Sequence, residues 1–282
     1  LARSLHGLGM ALSNQGKLPE AEQQLRAALA MQRALFGEKN GELARTLEDL
    51  GQVVDQRGDL RAAIPLMQSS LAIQRQLHGN EPHPDLAEAI NNLAFLYEEE
   101  SNHDAAEKLF REGLAMNRVL LGEKHKEIST GLSNLAFVLQ EKGDVARAEA
   151  TFRQALAMQR DLFGNVHPDV ALTLNNLAYV YAALHDTRNE LLSQRESLAI
   201  YQQLFPGDHP DVARVANQLG FFLTEAGQYA EAERYVRSSL DMRRRLLGNA
   251  HPDVGSSLTS LAILQVATRK FTDALESARE AV

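Results

Sequence analysis

A leucine followed by a small residue recurs along this chain at a nearly constant interval. The leucines are Leu8, Leu50, Leu93, Leu135, Leu177, Leu219 and Leu261, spaced by 42, 43, 42, 42, 42 and 42 residues. The residue after each is Gly9, Gly51, Ala94, Ala136, Ala178, Gly220 or Ala262, so a backbone must approach closely there. A fixed long period means that one supersecondary unit is copied, and that each copy covers the apolar face of its neighbour. The single 43-residue step coincides with HGNEPHPD, His78 to Asp85, one residue longer than FGNVHPD at Phe163. Seven anchors give seven repeats, expected to form a single array over 1–282.

Each repeat reads as two helices. In the stretch from Gly164 to Tyr181, Val170, Leu174, Leu177, Ala178 and Tyr181 recur at steps of three and four, one apolar stripe on a helix. Eight residues after the anchor comes a turn, at Gly16, Gly58, Gly143 and Gly227, with Ser101, His185 and Arg269 where glycine is absent. A second helix follows, opening on an Ala-Glu pattern such as AEQQLRAALAMQR, with small residues at Ala21, Ala63, Ala106, Ala148, Ala232 and Ala274. Gly37, Gly79, Gly122, Gly164 and Gly248 stand where a helix ends in a left-handed residue. The next first helix starts at His-Pro-Asp, with proline at the first helical position and aspartate in the first turn. No strand-like alternation appears, so the fold class is all-α.

Apolar residues make up 44% of the chain and charged residues 23%, the balance of a chain that folds in water. No apolar run approaches the roughly 18 residues a membrane span needs. There is no leader pattern and the first residue is Leu1 rather than Met, so the chain is expected to be a piece of a longer protein. With no cysteine, disulfides and thiolate zinc sites are excluded, and a reducing, cytoplasmic setting is expected. A net charge of -8 argues against nucleic acid, which wants a basic stripe, and favours basic or apolar partners.

The succession of a large residue, Leu-small, a turn, an alanine and a second alanine resembles the tetratricopeptide repeat. With HPDVA at His167, NNLA at Asn175, glycine turns and the Ala-Glu start, the 42-residue unit is similar to the kinesin light chain subtype rather than the usual 34-residue form. The resemblance covers essentially the whole chain. It implies a right-handed superhelical solenoid of antiparallel helix pairs, whose first helices line a concave groove where a peptide or protein segment docks without catalysis. It also implies an alternative, a sensory or autoregulatory domain of a larger bacterial kinase or STAND ATPase; a self-association module is a further alternative, favoured by the open ends expected of a fragment.

The resemblance places positions minus five, minus two, plus two and plus five from the anchor on the concave face, and helical steps agree. Plus two carries Phe95, Phe137, Tyr179 and Phe221, four successive aromatics on a face expected to be wet. Minus two carries Asn91, Asn175 and Asn217, and minus one carries Asn92, Asn134, Asn176 and Gln218. Arg45 and Arg214 at minus five are the basic residues of the inner repeats. In the binding reading, amides meet a peptide backbone and rings supply contact area. In the packing reading, the rings fill space between neighbouring first helices and the amides bond locally. The carboxylate-clamp form of this family wants Lys at minus two and Asn at plus two. Neither occurs, so a terminal-carboxylate ligand is not expected.

The histidines His83, His125, His167, His209 and His251 fall one per repeat. Helix axes pack about 8–10 Å apart and a zinc ligand must lie at about 2 Å, so no metal site is expected from the series. No cofactor loop or catalytic motif is present, and no cofactor or enzymatic activity is expected. The run Arg243, Arg244, Arg245 is expected on a solvated outer face. Repeat five is irregular: Glu190 stands where other repeats have the packing alanine, and Gln194 where Phe110 and Phe152 stand. A buried unpaired carboxylate is costly, so Glu190 is expected to be exposed or paired with Arg188 or Arg195, leaving a weak point. Amide hydrogen exchange is expected to be fastest around 185–197; uniform protection across repeats four to six would refute this.

Overall fold

The computed structural model describes residues 1–79 and 81–281. Asn80, inside the longer inter-repeat segment, and Val282, the last residue of the expected array, lie outside the described residues. The chain divides into two compact halves, residues 1–144 and 145–282. The N-terminal half holds α1 (Ala2–Asn14), α2 (Leu18–Phe36), α3 (Gly41–Gln56), α4 (Leu60–His78), α5 (Pro84–Glu99), α6 (His103–Leu121) and α7 (Lys126–Glu141). The C-terminal half holds α8 (Val145–Phe163), α9 (Pro168–Ala183), α10 (Thr187–Leu204), α11 (Pro210–Glu225), α12 (Tyr229–Leu247), α13 (Pro252–Ala267) and α14 (Phe271–Glu280). There is no strand among the described residues. In each half, odd-numbered first helices pair with the even-numbered helices that follow, and each second helix also packs on the next first helix.

The starts of five first helices are set by a histidine cap, followed by Pro-Asp in four of them and by Lys126-Glu127 in the fifth. His83, His125, His167, His209 and His251 are N-caps, and each Nδ1 accepts a hydrogen bond from the backbone N–H two residues on, at 3.1–3.3 Å. Nδ1 is therefore the bare nitrogen and the ring proton sits on Nε2. Asn40 does the same for α3 with its side-chain oxygen, at 2.8 Å from the Glu42 N–H. Three of the capping rings lie flat on an aromatic at the end of the preceding helix: His83 on His78, His167 on Phe163 and His209 on Phe205. The stack holds the chain's entry angle, as a hydrophobic staple does.

The turns follow the sequence as well. Gly16, Gly58, Gly143 and Gly227 have φ of 73–82°, and Ser101, His185 and Arg269 take the same left-handed conformation at 57–62°. Within a repeat, the small residue after the anchor faces the side chain sixteen positions further on. A Cβ on Gly9 would stand 2.7 Å from Leu25 Cγ, and one on Gly220 would collide with Val236. Phe110 and Phe152 occupy that second position in repeats three and four and are fully buried. The anchor leucines are buried except Leu8, whose helix α1 has only α2 and α3 beside it among the described residues.

Two expectations change. Glu190 is 5% exposed and pairs with neither Arg188 nor Arg195, because Arg195 points along the outer face to Glu231 at 2.8 Å. Burial pushes its carboxyl up to about 7, and Glu225 and Asp186 act in the same direction. Gln194, in the Phe110 position, is buried, and its Nε2 lies within hydrogen-bonding distance of Asn175 Oδ1, the Val215 carbonyl and Gln218 Oε1 at 3.2–3.3 Å. The arginine run is not wholly solvated either. Arg243 is buried, donating to the Asp253 carbonyl at 2.7 Å and Ser257 Oγ at 2.9 Å, while Arg245 turns outward to Asp208.

The left-handed non-glycine turns cost about 1 kcal/mol each, part of which a glycine gives back through its looser unfolded chain. His185→Gly and Arg269→Gly are each expected to raise the thermal midpoint by a few degrees, and Gly143→Ser to lower it, in circular dichroism melts. Glu190 binds its proton more tightly folded than unfolded, so its contribution falls as pH rises from about 4.5 to about 7. Glu190→Gln is expected to be more stable than the parent by about 2 kcal/mol at pH 8, with the gap closing towards pH 4.5. Identical pH profiles for the two would show that Glu190 does not ionise against its burial.

Candidate functional site

The wall of α5, α6 and α7 encloses a cavity of about 420 Å³ on the first-helix face of the N-terminal half. Asn91, Asn92, Phe95 and Asn134 all line it. Phe95 is 42% exposed although Ala94 and Leu96 on either side of it are buried. Its ring stands edge-on to the buried Phe110, with centroids 5.2 Å apart, so one edge is fixed while a face stays open. Asn91 reaches the α6 backbone at Gly113, where any Cβ would collide with its side-chain oxygen. Asn92 has its Nδ2 buried with no acceptor. Phe137, one repeat on, is 37% exposed.

In the C-terminal half, Tyr179 is also 37% exposed and stands edge-on to the buried Phe222 at 5.3 Å. Its hydroxyl bonds Gln218 Nε2. Burial pushes that hydroxyl's pKa above the ordinary tyrosine value. Phe221 is half-buried, 5.9 Å from Phe222, and Asn176 in repeat five is half-buried too. Asn217 donates to Ser260 Oγ at 3.0 Å. Asn175 differs from its counterpart Asn91: it is buried and its oxygen accepts from Gln194. The phenylalanine-to-glutamine change in repeat five therefore draws Asn175 inward. Arg214 bonds Asp211 at 3.2 Å and lies over the Tyr201 ring, whereas Arg45 is exposed at the rim of an acidic cavity between α3 and α5.

Other features are less suited to a ligand. His78, His83 and Asp85 bring possible metal-ligating atoms within 4.8 Å of one another, a cluster that the one-per-repeat count of histidines misses. The two imidazoles are stacked at 3.5 Å and 12°, so their in-plane lone pairs run parallel instead of converging, and His83 Nδ1 already serves the helix cap. Phe163 and Phe205 occupy the His78 position in repeats four and five, which marks the stack as structural. An apolar groove of about 610 Å³ lies between α13 and α14, lined by Ile263, Val266, Phe271 and Leu275 among others. No helix among the described residues is long and apolar enough to cross a membrane.

Sequence profiles described as tetratricopeptide repeat match residues 1–76, 127–203 and 211–282, and a second profile of the same description matches 86–127. No curated protein matches the sequence significantly. Among solved structures, BtubC (BKLC) from P. vanneervenii superposes with a TM-score of 0.67 at 24% identity, over 84% of this chain and 93% of that one. A putative kinesin light chain of Podosopora anserina with nearly identical TPR-like repeats gives 0.65 at 22% identity, over 73% and 97%. The Rap conjugation gene regulator of plasmid pLS20, solved in complex with the Phr* peptide, gives 0.56 at 14% identity, over 97% and 70%. With profile matches along most of its length and the two-helix unit repeated throughout, the chain belongs to the tetratricopeptide repeat family.

Proposed function

We propose that this chain is a non-catalytic binding module that takes up a peptide or protein segment along its first-helix face. The observation that carries the reading is the cavity under Phe95. It combines an open aromatic face, amides on both α5 and α7, and a buried Asn92 donor with no acceptor. An extended segment offers backbone groups to the lining amides and a side chain to the ring. Phe137 in the same half, and Tyr179 with Gln218 and Phe221 in the other, offer the same chemistry at the repeat interval. The peptide-bound Rap regulator supports a peptide as the kind of ligand this architecture accepts. Arg45 and Arg214 stand at the matching edge positions, and the absence of cysteine suits a cytoplasmic setting.

The test is a peptide selected by display on the full chain and then measured against a variant carrying Phe95→Ala, Phe137→Ala, Tyr179→Ala and Phe221→Ala. These rings are part-exposed, so the helical circular dichroism is expected to stay close to the parent's. Binding is expected to weaken by about a hundredfold or more, the sum of several aromatic anchors of about 1 kcal/mol or more each. Unchanged affinity in a helical variant would refute the groove.

A further inference from the structure

A second cavity, of about 490 Å³, lies between α3 and α5 and shares Glu88 with the cavity under Phe95. Its wall carries five carboxylates, Glu42, Glu48, Asp49, Asp85 and Glu88, against a single cation, Arg45. Two of the acids are answered from α1: Glu42 by Arg3 at 3.1 Å and Asp49 by His6 at 2.5 Å. Asp85 is the second residue of α5, and among the described residues its one ionic neighbour is the capping His83, at 3.9 Å. Glu48 and Glu88 have no cationic partner among the described residues, and the exposed Arg45 forms no ion pair with any of the five.

Glu48 is held in place. It is 6% exposed, and Ser70 Oγ donates to its Oε1 at 2.7 Å. The serines at the same repeat position elsewhere behave differently: Ser197 donates to the Ala171 carbonyl and Ser239 to the Ala213 carbonyl, both at 2.7 Å. Only in repeat two is this hydroxyl turned to support a carboxylate. Beside it Gln74, 2% exposed, lines the same cavity, and its Oε1 accepts no hydrogen bond. Gln32, at the same position of repeat one, shares the unbonded Oε1, so what sets repeat two apart is the buried carboxylate of Glu48 beside it. Burial pushes Glu48 up to about 7, with Glu88, Asp49 and Asp85 adding to it, so a positive charge is what the site lacks.

We infer that this cavity receives the guanidinium of an arginine in the bound segment, with Glu48 and Gln74 as acceptors at its floor and Glu88 at its rim. A guanidinium carries five N–H donors in one plane and no acceptor, which matches acceptors offered from α3, α4 and α5 at once. An ammonium is a compact, strongly hydrated point charge that answers fewer of them. The inference rests on the peptide-binding reading and adds to it the segment's chemistry: an arginine one repeat away from the residue that meets Phe95.

The probe is acetyl-arginine amide, titrated into the isotope-labelled full chain while the Gln74 side-chain amide and the α3 and α5 backbone amides are followed by NMR. Acetyl-citrulline amide, the same shape without the charge, is the control. Saturable shifts centred on Gln74, at least about tenfold weaker with citrulline, are expected, since hydrogen bonds to charged groups are the strong ones. Glu48→Gln is expected to weaken the response severalfold. Glu88→Gln, at an exposed position where folding is not at stake, is expected to do the same. Equal responses to arginine and citrulline, or no loss in either variant, would overturn the inference. So would displacement of the probe by an equimolar divalent cation, which would make this a metal site. The Phe95→Ala, Phe137→Ala variant is expected to keep the arginine response, so failure of the aromatic groove and failure of the arginine pocket are read separately.

Discussion

The close approach between the two helices of each repeat decides where everything else points. Gly9 lies against Leu25 and Gly220 against Val236, with no room for a larger residue on the first helix, and at Gly51 an added Cβ would press on Met67 at 3.0–3.3 Å. Fixing that one position against the partner helix fixes the rotation of the whole first helix. The next residue lies 100° further round, so Phe95, Phe137 and Tyr179 are turned out of the core by the burial of Ala94, Ala136 and Ala178. The rings are exposed because their neighbours are packed. That explains how large apolar side chains persist at a wet position in successive repeats without being a packing fault.

The ends of the helices are set locally and tie this packing to the period. A histidine whose Nδ1 caps the helix, a proline that needs no donor and an aspartate in the first turn start four of the first helices. In the His125 repeat, lysine and glutamate follow in place of proline and aspartate. A left-handed residue ends the first helix of each repeat, whether or not it is glycine. These features depend on residues a few positions apart, so they are readable from the sequence with their residue numbers. The glycine turns, the non-glycine substitutes at Ser101, His185 and Arg269, and the helix starts all fall where the pattern places them.

What the sequence did not show depends on lateral neighbours. Asn91 and Asn175 hold the same repeat position and read alike, yet Asn91 lines a cavity and Asn175 is buried. The difference comes from Gln194, nineteen residues on, whose amide needs an acceptor. Arg243 looked like one member of a charged run, but a helix turns each of three consecutive residues in a different direction. The first of the three meets the α13 start at Asp253 and Ser257. Glu190 lacks a partner for the converse reason: Arg195, close in sequence, faces Glu231 on the next second helix. The acidic cavity needs side chains from α3, α4 and α5, and no single repeat contains its pattern.

Charge is sorted between the two faces. On the second helices, arginine and carboxylate pair at nearly the repeat interval, Arg75 with Glu112, Arg160 with Glu196 and Arg195 with Glu231, and Arg245 reaches back to Asp208 in the loop after α10, each pair 36 or 37 residues apart. Each such exposed pair contributes at most about 1 kcal/mol. On the first-helix side, Glu48 and Glu88 remain unanswered and Glu48 is pulled out of water. Stability alone would favour an apolar residue or an amide at that position, because desolvating a lone carboxylate opposes folding. A carboxylate kept there, braced by a serine that elsewhere bonds the backbone, is better explained by what approaches it from outside than by the packing around it.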